Sequence, residues 1–267
     1  MAQYYRRPTE GHEFYTPQVW HINKRVYRTD YYKMIANRKE ALPANLLDLL
    51  STPEAIALTD SYVGQTNRVL VVGQETYGNY SPLSSATEFS AWSAQLGGYI
   101  AFDFAYEEGA TGTSKFWKAF DEIAQYFELP DRRALAWSNL CKVQLLEPIK
   151  GSFSIRNLPA EMQMKIIKWQ HLTMFSELEF IDPDAIVFLT GSMSWILRET
   201  FGAEITEDPA GFNKVNIPGI PIPMVQIAHP NARHETATAR ANALAYLKPA
   251  VEQERRETEE RYASVAT

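Results

Sequence analysis

The chain has 267 residues, a net charge of −6 and 45% hydrophobic residues, including six Trp, 14 Tyr and 13 Phe, a composition that sustains a large core and excludes an intrinsically disordered chain. Its single cysteine, Cys141, excludes an internal disulfide and any four-cysteine zinc or iron–sulfur site. No run of eighteen apolar residues is present to span a membrane, and Met1–Tyr15 lacks the apolar stretch of a secretory signal, so a cytoplasmic protein is expected.

The chain divides unevenly by charge. Residues 1–40 hold eight Lys/Arg against four acids, and residues 251–267 hold five Glu against three Arg. The middle is therefore more acidic than the net figure. Any grip on a polyanion must be local, and in part N-terminal.

Residues 1–60 read as an N-terminal arm and short helices, with a helix start near Arg28–Asn37 and breaks at Pro43 and Pro53. Arg68–Gly73 is a continuous apolar run ending in glycine, the pattern of a strand buried on both faces. A polar stretch, Gln74–Ser85, and a helix through Thr87–Gln95 follow. Lys115–Phe127 sets Phe116, Phe120, Ile123, Ala124 and Phe127 at helical spacing. Leu135–Val143 is a second strand, Pro159–Leu178 a long helix, Ile186–Gly191 a third strand and Ser194–Phe201 a short helix. Ile222–Ala228 is a fourth strand, and Glu235–Leu247 with the charged tail to Arg261 is helical.

Strands alternating with helices predict one α/β domain over residues 1–267, a three-layer αβα arrangement around a largely parallel sheet. Ligands of such sheets bind beyond the carboxyl ends of the strands. Polar, chemically capable residues stand there at Gly73–Tyr77, Asn139 and His229–Arg233. Each segment also has a plainer reading: a loop with an exposed carboxylate, a turn asparagine and a structural His-Pro turn. His12, His21, His171 and His234 show no ligand spacing, so no metal is expected. Cys141, without a paired histidine, reads as a small buried hydrophobe.

Gly73-Gln74-Glu75-Thr76-Tyr77-Gly78 resembles the first motif of family 1 uracil-DNA glycosylases, Gly-Gln-Asp-Pro-Tyr-His, matching at Gly73, Gln74 and Tyr77. His229-Pro230-Asn231-Ala232-Arg233 resembles the second, His-Pro-Ser-Pro-Leu, at its first two positions. Asn139 stands where that superfamily places its pyrimidine-reading asparagine, and the order of the segments from Val69 to Asn231 is also similar. Glu75 replaces the family's aspartate, Thr76 its proline and Arg233 its wedge leucine.

The resemblance implies a metal-independent, cofactor-free, monomeric DNA glycosylase that flips uracil or a related modified pyrimidine out of the stack. It implies Glu75 and His229 as catalytic groups, and Gln74, Tyr77, Asn139 and Phe89 around the base. Asn231 and Arg233 would then lie against DNA. The chemistry asks for these types: a carboxylate against a cationic sugar, a donor at pyrimidine O2 and an amide for the Watson–Crick edge. Phe89 reads equally as core. Replacing proline by Thr76 is expected to loosen the turn, and Lys142 is expected to face outward beside Arg233. Two other readings stay open: a non-catalytic nucleic-acid or nucleotide-binding protein of the same fold, and an α/β enzyme acting on free nucleosides or nucleotides.

Overall fold

The computed structural model describes residues 32–54, 56, 58–65, 67–76, 81–86, 114–232 and 237–265. Four short helices come first, α1 (Tyr32–Ala36), α2 (Arg38–Ala41), α3 (Ala44–Leu47) and α4 (Asp60–Val63). Strand β1 (Val69–Glu75), helix α5 (Lys115–Tyr126) and strand β2 (Ala136–Cys141) follow. Helix α6 (Ala160–Ile181), strand β3 (Ala185–Phe188) and helix α7 (Ser194–Phe201) come next. The described chain ends with β4 (Glu204–Asp208), β5 (Phe212–Asn216), β6 (Met224–Gln226) and α8 (Ala237–Val265).

The protein is α/β, with a six-stranded mixed sheet in the order β2-β1-β3-β6-β5-β4. β2, β1, β3 and β6 run parallel, β5 pairs antiparallel with β6, and β4 pairs antiparallel with β5 at the edge. The parallel strands are buried throughout except at the end of β1, which explains their continuous apolar runs. Helices flank the sheet. Trp137 of β2 meets the α5 rings Phe116 and Trp117, while its neighbour Ser138 bonds Glu177 of α6. Adjacent strand residues alternate faces, so α5 and α6 cover opposite sides.

Three details differ from the sequence reading. β1 continues two residues past Gly73, placing Gln74 and Glu75 on the strand itself. Its last hydrogen bonds reach β2, and Thr76 N–H donates to Cys141 O at 3.0 Å. The hairpin β4–β5 was not anticipated, because β4 is mostly solvent-facing and shows no apolar alternation. Lys142 does not face outward. It is 2% exposed, and its Nζ lies 2.5 Å from Glu177 Oε2 and bonds Ser138 Oγ. A lysine just past a strand end reads as solvated, but here its partner comes from α6.

The N-terminal helices form a collar around the strand ends. Arg38 donates to the carbonyls of Ile35, Leu83 and Ala86, tying the segment that follows the β1 loop back to α1. Glu54 N–H donates to Lys142 O, and Thr76 Oγ1 donates to Glu54 Oε2 at 2.5 Å. Thr76 is 2% exposed. Its backbone N–H and its hydroxyl, neither of which proline has, are both engaged, and the turn that follows lies outside the described residues.

Buried charges cost most when one partner is removed. Lys142→Met, which removes the cation beside the buried Glu177 carboxylate, is expected to destabilise the fold by about 3–5 kcal/mol. A second change, Glu177→Leu, should recover much of that loss. Urea denaturation of the two single variants and the double variant measures both effects.

Candidate active site

The strand order reverses between β1 and β3, because the chain leaves β1 toward β2 and returns on the other side. Open α/β sheets bind ligands beyond the strand carboxyl ends at such a point. A cleft of about 580 Å³ lies there. It is lined by Gln74, Glu75 and Thr76 from the end of β1, Trp137 and Asn139 from β2, and His229 and Asn231 after β6. Ser114, Phe116 and Trp117 of the α5 end and Gly151–Ser154 with Arg156 complete it. A second hollow of about 560 Å³ adjoins it, sharing Gln74, Arg156, His229 and Asn231.

Gly73 and Asn139 are register partners in the parallel pair. A Cβ on Gly73 would overlap Asn139 Oδ1 and sit 3.3 Å from Phe116 Cζ, so glycine is required by close approach rather than by an unusual φ. The Asn139 side chain is 6% exposed, and no described group hydrogen-bonds either end of its amide. The amide opens onto the cleft, where a ligand presenting one donor and one acceptor would meet both its ends.

The carboxylate of Glu75 is held on one side only. Its Oε1 accepts from Ser154 Oγ at 2.9 Å and from Ile155 N at 3.0 Å, while no described group bonds Oε2. Burial pushes its pKa above the usual carboxylate range, opposed by the Ser154 hydroxyl, the Arg156 charge and the Ile155 N–H. The supporting segment begins with a tight turn in which Lys150 and Gly151 both have left-handed φ (52° and 75°). Ile149 and Ser152 exchange backbone hydrogen bonds across it, as in a hairpin, and Asn157 Nδ2 donates to Ile149 O.

His229 begins a turn closed by Ala232 N–H to His229 O at 2.7 Å, with Pro230 at the second position, where its fixed φ is favoured. The turn orients the ring, since Asn231 N–H donates to Nδ1 at 3.2 Å. That bond requires a bare Nδ1 and places the proton on Nε2. The imidazole packs parallel to Phe116, with ring centroids 5.8 Å apart. Burial, aided by the Arg156 charge, pushes its pKa down to about 4. At neutral pH it is an uncharged Nε2–H donor. Gly191, with φ +47°, lets the loop after β3 pass beside the His229 backbone, where a Cβ would lie 3.0 Å from its nitrogen.

Gln74 spans the reversal point, its Nε2 donating to Thr190 O at 2.9 Å. Behind it Gln226 Nε2 donates to Thr190 Oγ1, and Ser194 Oγ and Asn213 Nδ2 donate to Gln226 Oε1. Arg156 closes the wall between the two hollows: Nε donates to Ser154 Oγ and Nη1 to Ser192 Oγ.

The structure thus brings together Gln74, Glu75, Asn139, His229 and Asn231. Tyr77, Phe89 and Arg233 lie outside the described residues. Phe116, Ser154 and Arg156 were not anticipated. Phe116 carried the periodicity of a core helix, and Gly151-Ser152-Phe153-Ser154 offered only a Gly/Ser loop composition as a signal. Among the described residues, no group of three or more His, Cys, Asp or Glu is placed to hold a metal ion, and no helix is long and apolar enough to cross a membrane. No protein-family model matches the chain, and no curated protein matches it.

Two outcomes follow from this geometry. Histidine NMR should show His229 as the neutral Nε2–H tautomer at pH 6–7, titrating near pH 4. Because the folded pKa lies below the unfolded one, this group should lower stability as pH falls from about 6.5 toward 4. Gly73→Ala should turn the Asn139 amide away from its position and cost about 1–3 kcal/mol through overpacking, checked by a crystal structure and a thermal melt of the variant.

Proposed function

We propose that the chain is a DNA glycosylase of three-layer αβα, uracil-DNA glycosylase-like fold, hydrolysing the N-glycosidic bond of uracil or a related modified pyrimidine. One observation carries the reading: the Asn139 amide, open to the cleft at both ends, shares it with a one-side-held carboxylate and a neutral histidine donor. An amide with both ends open suits the N3–H and O4 edge of a flipped pyrimidine.

On this reading the base enters beside Asn139 and Phe116. The His229 Nε2–H donates to O2, where negative charge grows as the C1′–N1 bond lengthens. Glu75 Oε2 stabilises the oxocarbenium-like sugar and orients the attacking water. Phe116 takes the ring contact that sequence reasoning gave to Phe89. Asn231 at the cleft, and Arg233 by the sequence resemblance alone, would lie against the DNA.

One observation favours a second reading, an enzyme acting on free nucleosides or nucleotides. Arg156 is the only cation among the described residues lining the two hollows, and the chain carries −6 overall. A DNA-binding groove usually offers several phosphate contacts.

Single-turnover excision from uracil- and modified-pyrimidine-containing oligonucleotides, with binding followed in parallel, tests the proposal. Glu75→Gln should slow excision about a hundred- to thousandfold and leave binding nearly intact, since the lost charge matters after bond breaking begins. Asn139→Asp should change base selectivity as well as rate. Wild-type protein that excises nothing from DNA but cleaves free nucleosides or nucleotides would establish the second reading instead.

A further inference from the structure

We propose that Ser154 and Arg156 are positioning residues for Glu75, a clamp that commits Oε1 to hydrogen bonding and leaves Oε2 as the ionised oxygen offered to the ligand. The inference rests on the reading of Glu75 as the working carboxylate of the cleft.

Proton accounting at the Ser154 hydroxyl carries the argument. A serine hydroxyl has one proton and two lone pairs. Its oxygen accepts from Arg156 N–H at 3.2 Å and from Arg156 Nε–H at 3.1 Å. Both lone pairs are taken, so the single proton goes to Glu75 Oε1 at 2.9 Å. Ile155 N–H supplies a second donor to the same oxygen at 3.0 Å. Oε1 thus faces two donors and cannot carry a proton without losing one. Protonation of Glu75 is confined to Oε2.

The guanidinium completes the device. Nη1 donates to Ser192 Oγ at 2.8 Å, so Arg156 spans the loop after β2 and the loop after β3. It has no carboxylate within salt-bridge distance among the described residues, and its charge acts on the two groups across the cleft, Glu75 and His229. The other titratable group beside Glu75 is Cys141, its register partner on β2, whose thiol burial pushes up and keeps neutral. One arginine therefore favours the two states the chemistry uses, a charged carboxylate and an uncharged imidazole. Burial alone would favour a neutral Glu75.

The clamp has a titration signature that a merely structural loop would not produce. Full-length protein with ¹³C-labelled glutamate and labelled histidine is titrated by NMR, with Glu75→Gln assigning the carboxyl resonance. Ser154→Ala should raise the Glu75 midpoint by about one pH unit, tenfold in proton affinity, and leave His229 near its wild-type value. Arg156→Gln should raise both midpoints, because a positive charge lowers the pKa of acid and imidazole alike. Arg156→Lys should keep His229 low yet restore Glu75 only in part, since one ammonium cannot span both hydroxyls. If Ser154→Ala fails to fold, the two Arg156 variants carry the test.

Excision, where it occurs, should lose its acidic limb at correspondingly higher pH in Ser154→Ala. A Glu75 midpoint unmoved in Ser154→Ala and Arg156→Gln overturns the clamp, whatever the excision assay shows. Midpoints that move as expected in a protein that excises no base support the clamp and overturn the glycosylase reading alone.

Discussion

The missing side chain at Gly73 is the constraint on which the cleft depends. Register partners in a parallel sheet lie about 4.8 Å apart and point to the same face. With nothing at position 73, the Asn139 amide settles over the glycine, and Phe116 of α5 closes in from the side. The amide then faces the cleft from between a glycine and an aromatic ring, at a position where β1 and β2 still continue. Glu75, two residues further along β1, lies on the same face. The distance between carboxylate and amide is thus set by the rigid pitch of paired strands rather than by a loop.

Strand pitch places these groups, but the edge must also hold still. Beyond Glu75 the chain is taken up by the collar: Thr76 by Glu54 and Cys141, Leu83 and Ala86 by Arg38. On the α6 side, Lys142, Glu177 and Ser138 form a buried ionic cluster under the end of β2. Glu54 sits between the two systems, its pKa pushed up to about 7 by burial despite the nearby lysine. These polar groups bring little net stability of their own, because desolvation consumes most of what pairing returns. They do fix the chain geometrically: a strand end held by several directional bonds has few alternative positions.

How much of this was legible in the sequence follows from the range of each interaction. β1 and β3 read clearly because burial on both faces leaves an uninterrupted apolar run. Helix α7 was read to its end residues, Ser194 and Phe201. The β4–β5 hairpin was silent because its first strand, Glu204–Asp208, is polar and mostly exposed, and the pairing is decided by β5 and β6. Its turn signal, Pro209-Ala210-Gly211, was present, but Phe212 and Val215 after it are three apart and break the alternation of a strand. Lys142 was misplaced because Glu177, 35 residues later, decides its burial. Within the site, Glu75, Asn139 and His229 were found through short motifs with distinctive residue types. Arg156 could not be: a lone arginine in a loop has no local signature, and its partners lie two residues before it and 36 after it.

The electrostatics of the cleft resolve an apparent conflict between composition and site. A chain with a net charge of −6 would disfavour an anionic ligand if its charge were spread evenly. Among the described residues lining the two hollows, the single acid is Glu75 and the single cation Arg156. The described lining is therefore balanced in charge. At a Debye length of about 8 Å in physiological salt, exposed distant carboxylates are largely screened from the cleft. The pair that remains acts in a partly buried setting, where the guanidinium opposes the effect of burial at Glu75 and adds to it at His229. A single guanidinium held by two serine hydroxyls can thus outweigh many surface acids in setting the chemistry of the site.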